Sequence, residues 1–252
     1  MNTPVRPRLS VIAPMKNEAE NVGKLADDIA AACAPLAPFE AIFVNDGSDD
    51  GTSAAIAAAR MRHPWLREVR HASSCGQSAA VRSGVLAAAA PVCCTLDGDG
   101  QNPPSEIPAL VAPILNDVTG RIGLVAGQRV ARQDTRSKLI ASKIANAIRS
   151  RLLKDDTRDT GCGLKAFPRD VFLSLPFFDH IHRYLPAMVR REGYEIALVD
   201  VSHKAREAGN SNYTNFGRAL VGALDLFGVW WLMKRRKRAT VAHADPAQGT
   251  EA

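Results

Sequence analysis

The sequence lacks what a disulfide scaffold, a structural zinc site or a simple membrane span would need. Its five cysteines, Cys33, Cys75, Cys93, Cys94 and Cys162, are odd in number and never spaced C-x-x-C. Neither a disulfide framework nor a zinc-binding cysteine set is expected, and a reducing cytoplasm fits. There is no run of about 18 apolar residues, so no simple transmembrane helix is encoded. Met1 to Arg8 is polar and proline-broken, and the apolar stretch behind it is too short for a secretory leader. No repeat is visible. No G-x-G-x-x-G follows the first strand-like run, which sets aside a nicotinamide-binding domain. No face combines basic and aromatic residues, so nucleic acid is not an expected partner.

What is there suits one large α/β domain with a short appendage. The chain has 252 residues, 46% hydrophobic and 23% charged, an ordinary globular balance with enough apolar material for a real core. Lys and Arg outnumber Asp and Glu by 32 to 26. Much of that excess sits at Lys234-Arg235-Arg236-Lys237-Arg238. Charge concentrated in one place points to an anionic surface as partner.

Strand and helix signals alternate. Residues 9–13, 41–44, 66–71, 92–96 and 122–126 are apolar runs of strand length. Between them, 19–32, 53–62, 77–90 and 107–115 have helical composition. That order predicts a mostly parallel sheet with helices on both faces, and ligands at the carboxyl ends of the strands. The second half is less regular. It predicts helix at 137–153, a charged loop at 154–163, helix at 185–192, strand at 195–201 and a polar loop at 206–214. A last amphipathic helix follows at 216–238, and 239–252 is a small, polar tail without expected order. The domain plan is an arm at 1–8, a catalytic domain at 9–214 (donor half to about 128, acceptor half from 129), the helix at 215–238 and the tail.

Polar motifs fall at the strand ends. Asp97-Gly98-Asp99-Gly100-Gln101 closes the fourth strand. Alternate side chains of an extended chain share a face about 6.6 Å apart, so Asp97, Asp99 and Gln101 can converge on one hard cation, Mg²⁺ or Mn²⁺. A lone D-x-D is more often a solvated acidic turn; the strand-end position and flanking glycines are what favour a diphosphate here. Asn45-Asp46-Gly47-Ser48-Asp49-Asp50 closes the second strand. Asp46 suits a nucleobase N–H, whereas Asp49 or Asp50 can serve only to cap the next helix. Pro14-Met15-Lys16-Asn17-Glu18 closes the first.

Three such motifs in this order resemble family 2 glycosyltransferases of the GT-A (nucleotide-diphospho-sugar transferase) fold. The resemblance is to the dolichol-phosphate mannose synthase-like branch with its bacterial polyprenyl-phosphate members. It runs from about 9 to 232 and takes in Asp159-Thr160-Gly161-Cys162-Gly163-Leu164-Lys165 and His182-Arg183-Tyr184-Leu185-Pro186. It continues through His203 to Tyr213 and ends with Asp225-Leu226-Phe227-Gly228-Val229-Trp230-Trp231. By that resemblance Pro14, Asn17, Glu18 and Asp46 hold the nucleotide, while Asp97, Asp99 and Gln101 hold the metal and diphosphate. Arg129 faces the acceptor phosphate. Lys138 and Ser142 match an acceptor pair one helical turn apart, with Arg136 as the alternative cation. Arg206 matches a loop arginine on the donor diphosphate; the usual following Ser-Lys is Ser211-Asn212 here, and Lys204 is the alternative cation.

The implied activity is inverting transfer from a nucleotide-sugar, UDP-linked before GDP-mannose, to a polyprenyl (undecaprenyl or dolichyl) phosphate. Such an acceptor, with a second pKa of about 6, is already an anion at neutral pH and needs no strong base. Asp159 is the candidate should a base assist, with loop capping the alternative. His182 and His203 are open between structural and functional roles, and Cys162 reads as a small packing residue. Two alternatives stand: a sugar-hydroxyl acceptor, and a non-catalytic membrane adaptor, against which the intact Asp97/Asp99 pair speaks. In the last helix Phe216, Leu220, Leu224, Phe227 and Trp231 recur at i+3 or i+4 as one apolar stripe ahead of five cations. A peripheral seat on an anionic membrane surface is expected. The alternative is a helix docked on its own core or on a second copy in a homo-oligomer.

Overall fold

The computed structural model describes residues 6–130, 149–155, 157–202 and 215–236, with backbone only for 215–220. Seven strands are β1 Leu9–Met15, β2 Phe39–Asn45, β3 Leu66–Arg70, β4 Val92–Thr95, β5 Ile122–Arg129, β6 Lys165–Pro168 and β7 Glu195–Val201. They form one sheet in the order β3-β2-β1-β4-β6-β5-β7. All pairings are parallel except those of β6, which runs antiparallel between β4 and β5. Among the described residues the helices with given bounds are α1 Ala19–Cys33, α2 Thr52–Arg62, α3 Gln77–Ala87, α4 Ile107–Leu115, α5 Arg169–Ser174, α6 Ile181–Glu192 and α7 Asn215–Lys234, and 149–153 is helical as well.

The central strands are buried on both faces, which is why they read as unbroken apolar runs. Along β1, Leu9, Val11, Ala13 and Met15 enter a core shared with α1 and α4, while Ile12 enters a second core with α3 and α6. Helix α1 carries Val22, Leu25, Ala26, Ile29 and Cys33 on one stripe, the spacing that buries a single helical face.

Two segments were not foreseen. β6 is four residues long and contains a lysine and a proline, so it shows neither length nor alternation. α5 follows at once and covers the second core with Val171 and Phe172. Inserting β6 between β4 and β5 draws the 159–163 loop beside the end of β4, where Thr95 Oγ1 donates to the Gly163 carbonyl at 2.8 Å.

The last helix is docked along one face and exposed along the other. One face of α7 is docked: Val229 is buried, the Asp225 carboxylate lies 2.8 Å from His180 Nδ1, and Arg191 Nε donates to the Leu232 carbonyl at 3.0 Å. The opposite face leaves Leu224, Phe227 and Trp231 exposed, at 66%, 63% and 48%. These are three of the five stripe residues; the side chains of Phe216 and Leu220 lie outside the described residues. No described helix is long and apolar enough to cross a membrane.

Candidate functional site

A cavity of about 670 Å³ opens where β1, β2, β4 and β5 end, closed on its far side by the 159–163 loop and the start of α6. Strand order places it there, because parallel strands deliver their carboxyl ends to one edge. Pro14, Glu18, Asp46, Asp97, Asp99, Arg129 and Asp159 all line it.

Asp97 and Asp99 leave β4 side by side. Gln77 Nε2 donates to Asp97 Oδ1 at 2.9 Å and Asn102 Nδ2 to Oδ2 at 2.7 Å. Burial, then the neighbouring Asp99 charge, pushes the Asp97 pKa up, against the Asn102 hydrogen bond and the more distant Lys165 and Arg129. A crowded pair of carboxylates with oxygen donors alone is what Mg²⁺ or Mn²⁺ requires, so the residues fit such an ion. Gly163 makes the arrangement possible: a Cβ there would lie 2.2 Å from Asp97 Oδ2. Gln101 does not line the cavity, and its backbone N–H donates to Asp99 Oδ1 at 3.1 Å. The amides placed on Asp97 are Gln77 and Asn102.

Arg129, at the end of β5, forms a two-pronged pair with Asp159: Nε to Oδ2 at 2.6 Å and Nη2 to Oδ1 at 3.0 Å. Burial would lower the Arg129 pKa, but the Asp159 pairing overrides it and the net direction is upward, so the cation is fixed. Asp159 is held in turn by the Gly161 N–H at 3.0 Å, and its own N–H donates to Gln128 Oε1 at 2.9 Å. Lys165 is buried, its ammonium donating to the carbonyls of Thr160 and Cys162, and burial lowers its pKa. It fastens the loop that carries Asp159.

At the end of β2, four hydrogen bonds reach the Asp46 carboxylate from its own surroundings. Oδ1 meets His71 Nδ1 at 2.7 Å and the Cys75 N–H at 2.8 Å; Oδ2 takes Ser74 Oγ at 2.8 Å and the Gly76 N–H at 2.9 Å. The carboxylate thus shapes the 73–76 loop leading into α3. Gly47 (φ +62°) lets the chain pass that loop, since a Cβ there would lie 2.5 Å from the Ser73 backbone. Asn17 does not line the cavity; its N–H donates to Ser48 Oγ at 3.0 Å and its Oδ1 accepts from the Asp49 N–H at 3.1 Å. It ties the first motif to the second. Asp50 bonds the N–H groups of Thr52 and Ala19, a capping role.

Two more cavity residues come from α6. His182 Nδ1 lies 2.7 Å from Ser78 Oγ, and burial pushes its pKa down to about 3, so the ring is neutral. Arg183 has no ion pair among the described residues and lines the same cavity. Gln77, Asn102, Lys165 and Arg183 carried no role in the sequence reading; Lys165 and Arg183 sat inside motifs already singled out, and that was the available signal. Cys162 is buried with its pKa raised by burial, as a packing residue should be. Lys138, Ser142, Arg206, Arg136, Lys204 and His203 lie outside the described residues.

With this geometry in place, the comparisons are specific. The family model for glycosyl transferase family 2 matches residues 10–175. A dodecaprenyl-phosphate galacturonate synthase of Rhizobium johnstonii is 32% identical over 243 residues, covering 94% of this chain and 71% of that protein. An undecaprenyl-phosphate 4-deoxy-4-formamido-L-arabinose transferase of Sodalis glossinidius is 31% identical, over 85% of this chain and 65% of that one. The chain therefore spans about two thirds of the length of such relatives. Among solved structures, a Pyrobaculum calidifontis mannosyltransferase in complex with GDP-Man and Mn²⁺ superposes with a TM-score of 0.65 at 20% identity, covering 94% of this chain and 67% of that one. A Mycobacterium tuberculosis glucosyl-3-phosphoglycerate synthase with Mn²⁺ and UDP-Glc also gives 0.65 at 20%, covering 91% and 79%. The fold is that of GT-A glycosyltransferases.

Proposed function

The chain belongs to glycosyl transferase family 2, and from that premise we propose that it moves a sugar from a nucleotide-sugar onto a polyprenyl phosphate. The observation that carries the acceptor is the cation set lining the same cavity as the Asp97/Asp99 pair: Arg129 clamped by Asp159, and Arg183 without an ion pair among the described residues. Two guanidiniums in one cavity suit a phosphate, which Arg binds through parallel hydrogen bonds. The relatives at 31–32% identity are named for dodecaprenyl and undecaprenyl phosphate, which supports the same class.

In this reading Pro14 and Glu18 flank the nucleoside, and Asp46 acts through the loop it shapes. Asp97 and Asp99 hold Mg²⁺ or Mn²⁺, which when bound neutralises the departing diphosphate. Arg129 and Arg183 align a phosphate oxygen opposite that leaving group, giving inversion at the anomeric carbon. His182, a weak base with its pKa near 3, is not asked to take a proton. The acceptor is already ionised. A UDP-sugar is the favoured donor and GDP-mannose the next.

The test uses undecaprenyl phosphate and a panel of radiolabelled nucleotide-sugars with Mn²⁺. Label should enter the lipid fraction for one donor, and Arg183→Ala should raise the acceptor KM roughly tenfold while donor affinity holds. Transfer to a sugar hydroxyl with none to the lipid phosphate would overturn the acceptor assignment.

We further infer a peripheral seat at the membrane for the exposed face of α7. Leu224, Phe227 and Trp231 would enter the interface, with Lys234 and Arg235 lying 5.3 and 5.6 Å over the Trp230 and Trp231 rings. Each cation near an anionic leaflet is worth about 1 kcal/mol. Arg236 is spent on Glu192 at 2.5 Å and is left out of that sum. Wild type should float with phosphatidylserine vesicles at low salt and release at high salt. A variant neutralised at Lys234, Arg235, Lys237 and Arg238 should float poorly. Equal recovery of both in the soluble fraction would assign the stripe to contact between copies.

A further inference from the structure

Outside the carboxylate pair that suits a hard cation, three groups of different chemistry converge beside the cavity, which Asp46 alone of the three lines. A carboxylate oxygen of Asp46, a ring nitrogen of His71 and Cys75 Sγ all lie within 4.8 Å of one another. Asp46 is buried, His71 half-buried and Cys75 exposed, so the set opens to solvent on its sulfur side. We propose that Asp46, His71 and Cys75 form a second cation site, selective for a thiophilic divalent ion such as Zn²⁺, whose filling closes the nucleoside end of the donor cavity.

The surroundings prepare this site. His71 Nδ1 donates to Asp46 Oδ1 at 2.7 Å, and its other nitrogen, Nε2, lies 2.9 Å from Ser83 Oγ. An ion on Nδ1 takes the place of that proton, and Ser83 Oγ can accept from Nε2 once the ring proton sits there. Asp46 is held from its other side by Ser74 Oγ and the Gly76 N–H, which fix the carboxylate before any ion arrives. The Cys75 thiol faces the Ser73 carbonyl at 3.4 Å, a weak contact on an exposed side chain, and a χ1 rotation frees it. A tetrahedral zinc with bonds of about 2.0–2.3 Å separates its ligands by roughly 3.3–3.8 Å, so Cys75 Sγ must draw in by up to about 1 Å while Asp46 Oδ1 and His71 Nδ1, 2.7 Å apart, part by about 0.6 Å. Rotation of the exposed Cys75 side chain supplies the first movement.

Charge balance is simple. The ion displaces the proton of the Cys75 thiol while the ring proton of His71 passes from Nδ1 to Nε2, so binding tightens as pH rises. Ligand softness separates the two sites: thiolate and imidazole favour Zn²⁺ or Cd²⁺, and oxygen-only Asp97 and Asp99 favour Mg²⁺ or Mn²⁺. The blocking effect rests on the donor reading above, in which Asp46 and its loop border the nucleoside; the metal site does not.

The experiment titrates the full chain with Cd²⁺ and with Zn²⁺ in excess Mg²⁺. Cadmium should give a thiolate charge-transfer band and zinc one calorimetric site. Cys75→Ser should remove the band and weaken Zn²⁺ at least tenfold, while Asp97→Asn and Cys162→Ser should keep both. A band that survives Cys75→Ser, or one lost in Asp97→Asn, overturns the site. In the transfer assay Zn²⁺ should raise the donor KM of wild type, and Cys75→Ser should escape at the same concentration relative to its own zinc-free rate. Zinc bound through Cys75 with an unchanged donor KM overturns the blocking role. The cadmium band decides the site whether or not any sugar is transferred.

Discussion

Asp97→Asn is expected to lower transfer at least about a thousandfold, some 4 kcal/mol of transition-state stabilisation, while leaving the protein folded. The substitution keeps shape and removes charge. In the metal-free protein that charge is a burden, because burial and Asp99 push the Asp97 pKa up. A carboxyl whose pKa rises on folding favours the fold at low pH, and that contribution is lost as pH rises through the folded-state value. Near neutral pH the ionised group therefore strains the apo fold, and an amide does not. One of the two hydrogen bonds from Gln77 and Asn102 is lost because the amide carries a single acceptor, a cost of about 1 kcal/mol that offsets the gain. The thermal midpoint of the metal-free variant should thus lie within a few degrees of wild type. Its response to Mn²⁺ plus nucleotide should vanish, since a ligand stabilises only what it binds. Wild-type turnover in the variant, or in excess chelator, would remove Asp97 from the metal site.

How the site was legible follows from where it sits. The donor motifs stand at strand ends, and strands buried on both faces announce themselves as apolar runs. β1, β2 and β4 were therefore placed by sequence to within two residues, and the cavity edge came with them. Asp97 and Asp99 both line the cavity, although β4 ends at Thr95 and Gly98 and Asp99 form a turn, so the extended step expected of them is not what brings them there. Gln101 does not line the cavity, because the chain turns at Gly98 and Asp99 and again at Gly100, where φ is +75°, and the extended geometry on which its convergence depended is absent. Asn17 is lost in the same way: at φ +57° it bends out to Ser48 and Asp49.

What stayed hidden is what depends on β6. A four-residue strand holding Lys165 and Pro168 has no periodicity to detect, and its place between β4 and β5 is set by pairing partners about 40 and 70 residues away. Only that insertion brings Gly163 against Asp97 and Asp159 against Arg129. Local spacing cannot encode it. The helix α7 was read as amphipathic, yet its Asp225 marks the docked face. The carboxylate stands against His180 beside the buried Val229 and the packed Leu226 and Trp230, while Leu224, Phe227 and Trp231 stay exposed, so both faces of the helix carry apolar residues.

The Arg129–Asp159 pair supplies the other large effect. Arg129→Ala should lower kcat/KM for the acceptor roughly a hundredfold, about 2.7 kcal/mol, with donor affinity nearly unchanged by calorimetry. Removing the guanidinium also takes the cation from Asp159, only 11% exposed at its side chain and still held by the Gly161 N–H, so a stability loss of about 3 kcal/mol is expected beside the kinetic one. Arg129→Lys separates the two: it restores charge and most of the stability, but not the two-pronged geometry, and the acceptor KM should stay high. Asp159→Asn then tests what the carboxylate does. As a positioning residue it acts through Arg129, so its loss should raise the acceptor KM and leave the shape of the pH–rate profile intact. The double variant should cost less than the sum of the singles by about 0.5–3 kcal/mol, as for groups that act as one unit. A profile that loses its acidic limb in Asp159→Asn would make the carboxylate a base. Donor affinity falling in parallel with Arg129→Ala would move the guanidinium to the donor side of the cavity.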